Sequence, residues 1–238
     1  MRDQYAGDIS DLLKFTFLRF LAADDRRLGI GWYYNPAYDG RPDGRHTEYL
    51  CESKWSVFDP VHKALRNLPE RSVRALEHLG IWSKQPCFHR EPVPSEETTR
   101  QLWASNMRVA LAGTDLVFLD PDNGVGTTER HATVAEVASM RQPGRTVVVI
   151  KFPAQNKSHD MQIKEHHDTL RIGTSTVPLF TVCTRVSVLY ERNSRRRVPS
   201  FRWFTVIDAD KVLAERAQSY VDLLNQIDYA RADLVPIG

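Results

Sequence analysis

Residues 116–124 constrain this sequence more than any other segment, because a continuous apolar run ends there in polar turn-forming residues. The run Leu-Val-Phe-Leu is typical of a strand that is buried on both faces of a sheet. Asp-Pro-Asp-Asn-Gly follows immediately, and each of these residues favours a turn for its own physical reason. Two carboxylates and an amide are therefore expected just past the carboxyl end of a buried strand, where ligands bind in open α/β sheets.

Helices and strands alternate along most of the chain. Apolar spacing predicts a helix over 9–22 with Asp8 or Ser10 as its N-cap, and further helices over 60–68, 71–79, 95–112, 129–140, 157–170 and 210–224. Strands are expected over 28–34, 87–93, 116–119 and 146–150, and a hairpin over 177–207. The pattern predicts a Rossmann-like α/β fold, in which a mostly parallel sheet has helices on both faces and an antiparallel hairpin at one edge.

The length of 238 residues fits a single domain over 1–238, with a small insertion at 36–58 and a basic hairpin at 190–202. The formal net charge is only +2, so any preference for nucleic acid must come from local clusters of charge. The three cysteines are far apart, which argues against a disulfide framework and a thiolate zinc site. There is no signal-peptide core and no run long enough to span a membrane, so we expect a cytoplasmic protein.

The polar turn after the central strand allows three interpretations. Asp120 and the carbonyl of Pro121, with Asp122 and Asn123 beside them, could accept both hydrogens of an exocyclic amino group, and the fixed φ of proline would keep these acceptors rigid. The Asp-x-Asp spacing could instead hold Mg²⁺ or Mn²⁺. The third interpretation is a capped turn with no chemical role.

Two further groups of residues are candidates for a site. Asp11 and Lys14 are three residues apart on the first predicted helix and therefore share a face, with Gly7 just before it. The predicted hairpin is rich in arginine, which suits contact with phosphate and bases. Its candidates for nucleic-acid contact, together with a lysine at the end of the 146–150 strand, are Arg192, Arg195, Arg196, Arg197, Arg202 and Lys151.

The histidines are weaker candidates. His46 follows Asp43, Gly44 and Arg45 in a polar loop, and it is interpreted as a surface residue in preference to an acid, base or metal ligand. His166 and His167 are adjacent on a predicted helix, so they point apart and are expected to be solvated.

Three short blocks resemble bacterial 23S ribosomal RNA adenine-N6 methyltransferases of the RlmJ type. Residues 5–15 are similar to the family pattern His-Ala-Gly-Asn-x-x-Asp-x-x-Lys-His, with Ala6, Gly7, Asp11 and Lys14 in register. Residues 120–123 correspond to the family's Asp-Pro-Pro-Tyr, and 151–153 to its Trp-Tyr-Pro. Asn123 stands where the family has its stacking tyrosine, and no glycine-rich loop follows the first strand. The chain also resembles uncharacterised bacterial and phage proteins that share the Asp-Pro-Asp-Asn-Gly strand end.

The resemblance implies a class I methyltransferase-like enzyme that uses S-adenosylmethionine and acts on an adenine-type amino group of DNA or RNA. It implies catalytic roles for Asp120, Pro121, Asp122, Asn123 and Lys14. It also implies that the cofactor is bound by Tyr5, Gly7, Asp11, Lys14 and Asn35.

Two alternatives remain at this point. One is a metal-dependent transferase or nuclease that uses Asp120 and Asp122, and it is favoured by the absent tyrosine and glycine loop. The other is a non-catalytic nucleic-acid-binding or defence-associated protein on a decayed methyltransferase scaffold.

Overall fold

A seven-stranded sheet runs through the molecule in the computed structural model, which describes residues 1–40, 46–174, 179–189 and 196–236. In chain order the strands are β1 (Leu28–Trp32), β2 (Cys87–His89), β3 (Leu116–Asp120), β4 (Thr146–Lys151), β5 (Leu179–Leu189), β6 (Arg197–Ile207) and β7 (Ala230–Pro236). Their spatial order is β2-β1-β3-β4-β6-β5-β7.

The sheet is mixed, which corrects the expectation of a mostly parallel sheet. Strands β2, β1, β3 and β4 pair in parallel, whereas β6 pairs antiparallel with both β4 and β5, and β7 pairs antiparallel with β5. Strands β5 and β6 form a hairpin, and β6 also pairs with β4. Strand β6 therefore lies between β4 and β5. The antiparallel strands β6, β5 and β7 lie together at one side of the sheet, as expected for the hairpin, but they supply three of its seven strands.

Helices cover both faces of the sheet, as predicted. One face packs against α1 (Ile9–Ala22), α2 (Val61–Arg66), α3 (Val73–Glu77) and α7 (Lys211–Leu224). The opposite face packs against α4 (Glu97–Ala110), α5 (Val134–Met140) and α6 (His159–Thr174). Each layer has its own apolar cluster, and β3 contributes to both because its residues alternate between the faces.

Local sequence explains α1, which carries much of the site. Asp8 is its N-cap, because its side chain accepts from the backbone N–H of Ser10 at 2.9 Å. Most of the helix is buried, including the polar residues Asp11 and Lys14, as expected for a helix that is apolar on most of its surface.

Several elements differ from the sequence predictions. Strand β7 was not expected, α5 begins at Val134 and not near residue 129, and β6 begins at Arg197, earlier than expected. Within 36–58, the described residues form two 3-10 helices, Glu48–Cys51 and Ser53–Phe58, whose Tyr49, Trp55 and Phe58 join the core beside α1.

His166 and His167 are buried, so the expectation that they are solvated is wrong. His166 Nε2 lies 3.0 Å from Thr205 Oγ1, and His167 Nε2 lies 2.7 Å from Thr181 Oγ1. The two threonine hydroxyls are 2.8 Å apart. Because α6 packs on β5 and β6, both histidines meet the same row of threonines.

Candidate active site

A pocket of about 290 Å³ opens where α1 begins and β3 ends. It is lined by residues from both regions and from β6, among them Tyr5, Asp11, Lys14, Asp120, Asn123 and Arg202. Its volume is close to the lower end of the range of roughly 300–1,000 Å³ that is typical of ligand sites. The structure thus brings the polar turn after β3 and the first helix to one cavity.

A buried ion triad forms one wall of the pocket. Lys14 Nζ lies 2.7 Å from Asp11 Oδ1 and 3.0 Å from Asp120 Oδ2. Asp11 Oδ2 also accepts from the backbone N–H of Gly7 at 2.7 Å. Each of the three side chains is 3% exposed or less, so the charges interact in a medium of low polarity.

The charges of this triad shift one another's pKa values. Burial raises the pKa of Asp11, although the ammonium of Lys14 opposes this effect. Burial lowers the pKa of Lys14, but the charges of Asp11 and Asp120 outweigh burial and the ammonium pKa is raised. The triad thus sets two carboxylates against one ammonium, and the guanidinium of Arg202 also interacts with Asp11 from the same pocket wall.

Asp122 is engaged by other cations. Its Oδ1 accepts from the amino group of Met1 at 2.7 Å, and its Oδ2 lies 3.8 Å from Arg2 Nε. Since Asp120 holds Lys14 and Asp122 holds Met1 and Arg2, the two carboxylates do not form a shared set of oxygen ligands. This arrangement does not fit a divalent cation held by the Asp120/Asp122 pair.

Arg202 lies inside the pocket wall and not on an exposed hairpin, which corrects the position expected for it. It is 2% exposed, and its Nε donates to Ser10 Oγ at 2.7 Å. Its Nη2 lies 3.5 Å from Asp8 Oδ1. Arg202 therefore links β6 to the start of α1.

The five residues assigned to a cofactor take different places. Tyr5, Asp11 and Lys14 line the pocket. Gly7, at φ +76°, is not among the pocket-lining residues; its carbonyl accepts a hydrogen bond from the Tyr49 hydroxyl at 3.1 Å. Asn35 is not among the pocket-lining residues; its backbone N–H donates to the Met1 carbonyl at 2.9 Å.

The loop that carries Asn123 is held by a second buried network. Arg100 Nε donates to Glu136 Oε1 at 2.6 Å, and the Tyr33 hydroxyl donates to Glu136 Oε2 at 2.9 Å. Arg100 Nη2 also donates to the carbonyl of His131 at 2.6 Å. Glu136 completes a capping box with Thr133 at the start of α5, so one carboxylate fixes both the helix and the loop.

Sequence reasoning missed several residues of the pocket. His46, interpreted as a surface residue, lines the pocket, and its backbone N–H donates to Asp8 Oδ2 at 2.9 Å. Arg130 and Phe152 also line it. Phe152 was detectable, because it follows the β4 strand end as the aromatic in the 151–153 block; His46 and Arg130 carry no comparable local signal.

The remaining basic candidates lie outside the pocket or outside the described residues. Arg192 and Arg195 fall outside the described residues, and Arg196 is exposed. Arg197 is half-buried and lies 3.1 Å from Glu52 Oε1. Lys151, at the end of β4, packs closely on Gly124, and burial lowers the pKa of its ammonium.

No protein-family model matches the sequence, and no curated protein does. The fold is similar to the crystal structure of protein LPL1258 from Legionella pneumophila str. Philadelphia 1, described with the family model DUF519. The two chains are 11% identical, the TM-score is 0.50, and the match covers 97% of this chain and 98% of that one. At this identity the likeness concerns the fold alone.

Across the described residues, no helix combines the length and apolar character that crossing a bilayer requires.

Proposed function

We propose that this protein is an S-adenosylmethionine-dependent methyltransferase that acts on an adenine-type amino group of nucleic acid. The observation that carries the proposal is the buried Asp11–Lys14–Asp120 triad next to Pro121, at the carboxyl end of a central strand and open to a pocket. Ligands of open α/β sheets bind at this end of the strands.

The donor set fits a cofactor with a cationic centre. The triad sets two carboxylates against one ammonium, which suits a sulfonium, and Tyr5 and Phe152 add aromatic surface to the pocket. When bound, the cofactor supplies an electrophilic methyl group. Asp11, Lys14 and Tyr5 are the residues that would hold it.

The chain's own residues then position the acceptor nitrogen. Asp120 and the Pro121 carbonyl would accept the two hydrogens of an amino group, which raises electron density on its nitrogen. Lys14 fixes the orientation of Asp120, because its ammonium lies 3.0 Å from Oδ2. Most of the rate in this scheme comes from holding the reacting atoms in line.

Phe152 supports the same scheme as a substitute for a stacking residue. Phe152 lines the pocket just after the end of β4. Asn123, which stands where the methyltransferase family has its stacking tyrosine, lines the same pocket. A base that is turned out of its stack is commonly held between an aromatic face and hydrogen bonds.

Isothermal titration calorimetry with S-adenosylmethionine at millimolar concentration tests the proposal. We expect binding to the wild type, at least tenfold weaker binding to Asp11→Asn, and unchanged binding to Asp115→Asn, which alters an exposed carboxylate at the other end of β3. A folded wild-type protein that gives no heat contradicts the proposal. Oligonucleotide binding that is salt-sensitive and unaffected by Asp120→Ala, without cofactor binding, would instead support the non-catalytic alternative.

A further inference from the structure

A basic and aromatic surface lies on the antiparallel half of the sheet, away from the pocket. We name it the Tyr229 patch and define it by Lys54, Arg185, Arg197, Tyr229 and Arg231. Tyr229 is its centre, because this side chain is 60% exposed and precedes β7. We propose that the Tyr229 patch binds a single-stranded segment of nucleic acid next to the nucleotide that enters the pocket; the choice of nucleic acid rests on the proposed function.

Two cations flank the exposed ring. Lys54 Nζ lies 4.9 Å from the Tyr229 ring centroid, and Arg197 Cζ lies 4.8 Å from it. Exposed aromatic rings beside guanidinium groups are the stacking platforms on which proteins hold unpaired bases. Tyr229 also has φ +67°, a strained backbone conformation for an aromatic residue, so the ring is displayed at a cost in stability.

Two arginines of the patch face each other across the sheet. Arg185 of β5 is directly opposite Arg231 of β7, and a like-charged pair in this position is destabilising unless an anion lies between the charges. Within the described residues, neither arginine has a carboxylate within 4.0 Å. Arg185 also lies over the ring of Phe201, 5.8 Å from its centroid.

Charge favours a polyanion at this surface. Glu52 bridges Lys54 and Arg197 at 2.9 and 3.1 Å, and Asp228 borders the same depression as Arg185 and Arg231. Four basic side chains thus face two carboxylates, and a positive excess remains. The depression has a volume of about 450 Å³ and is open to solvent, which suits an extended strand.

A cleft of about 20 Å³ lies between the patch and the pocket. Arg197 of the patch and Ser187 of its depression border this cleft on one side. His46 borders it on the other side and also lines the pocket. Glu48 and Glu52 also border the cleft, so the phosphates of a bound strand are expected at the arginine side and its bases at Tyr229. A strand with one nucleotide in the pocket would therefore cross the surface above this small cleft to reach the ring.

Fluorescence anisotropy with labelled 12-residue oligoadenylates, as DNA and as RNA, tests the inference. Tyr229→Asn removes the ring but tolerates positive φ, and we expect the dissociation constant to rise about tenfold. Tyr229→Phe keeps the ring and should bind like the wild type. A blunt duplex of equal length should bind more weakly than the single strand, because its bases are already stacked.

The two arginines are tested through the salt dependence of binding. Arg185→Gln combined with Arg231→Gln should reduce the slope of log K against log salt by about 1.4, as expected for two lost phosphate contacts. The control combines Arg66→Gln with Arg108→Gln, at exposed positions on α2 and α4. It changes the net charge by the same amount as the patch variant and should leave the slope unchanged.

The outcomes separate this inference from the proposed function. Cofactor binding by the wild type, with oligonucleotide affinity unchanged in Tyr229→Asn and in the arginine pair, overturns the patch and leaves the proposed function standing. Tyr229-dependent oligonucleotide binding without cofactor binding supports the patch and contradicts the methyltransferase. Absence of any oligonucleotide binding, equal affinity for the duplex, or equal affinity for a 12-residue oligoglutamate would each overturn the inference.

Discussion

Lys14 Nζ lies 3.0 Å from Asp120 Oδ2, although the two residues are 106 positions apart in the chain. This contact joins the first helix to the end of the central strand. Since Lys14 also contacts Asp11 at 2.7 Å, one ammonium holds two buried carboxylates in place. Removing Lys14 would leave both buried carboxylates without their ammonium.

Lys14→Met should destabilise the protein by about 3–5 kcal/mol, because it leaves Asp11 and Asp120 buried and unpaired. The measurement is urea unfolding at neutral pH. Adding Asp120→Asn to Lys14→Met should restore part of the loss, since one unpaired charge is then removed. Additive effects of the two substitutions would contradict the coupling.

Stability should fall on acidification below neutral pH because of the buried histidines. Burial lowers the pKa of His166 to about 3 and that of His167 to about 4, whereas both titrate near 6.5 in the unfolded chain. Between about pH 6.5 and 4, the unfolded state therefore binds protons that the folded state does not. Each histidine lowers the unfolding free energy by about 1.4 kcal/mol per pH unit in this window.

Chemical denaturation from pH 7 to 4.5 measures this slope. His167→Gln should reduce it, because the contribution of one of these two buried imidazoles is then lost. His78→Gln, at an exposed position after α3, is the control and should leave the slope unchanged. An equal slope in the His167 variant would exclude the buried pair as its cause.

Glu136→Ala should cost about 3–5 kcal/mol of stability, because Arg100 loses its carboxylate and α5 loses its capping box. The same variant should weaken cofactor binding, since Arg100 holds the loop that carries Asn123 and Arg130. Glu129→Gln changes an exposed residue of that loop and should stay within about 0.5 kcal/mol of the wild type.

Gly124→Ala should be more harmful than Gly113→Ala. Both glycines have positive φ, at +92° and +72°, so each alanine costs about 1–2 kcal/mol for backbone conformation. At Gly124 an added Cβ would lie 2.9 Å from Lys151 Cβ, while at Gly113 nothing lies within 4 Å. Gly124→Ala should therefore lower the free energy of unfolding by about 1–3 kcal/mol more than Gly113→Ala does, and this difference is the steric effect. Urea unfolding of both variants measures it.

Periodicity and turn chemistry were sufficient to predict α1, β3, β4 and the cavity-facing turn at Asp120. These elements are defined by local patterns, since a buried strand and a capped helix each leave a signal within about 15 residues. The contact of Lys14 with Asp120 is not local, because it joins α1 to the end of β3 across 106 positions of the chain.

Other features depend on tertiary pairing and have no local signal. The burial of Arg202 results from the position of β6 beside the start of α1, where Asp8 and Ser10 receive its guanidinium. Strand β7 has few β-branched residues and exists through its pairing with β5. The mixed character of the sheet was missed for the same reason, because the place at which β6 inserts is a property of the topology.

The hydrogen bond between Arg202 and Ser10 spans 192 positions of the chain. Neither half of the polypeptide can therefore preform the cavity by itself. Its appearance should coincide with the last cooperative step of folding, and a cofactor that binds there would report on completion of the native topology.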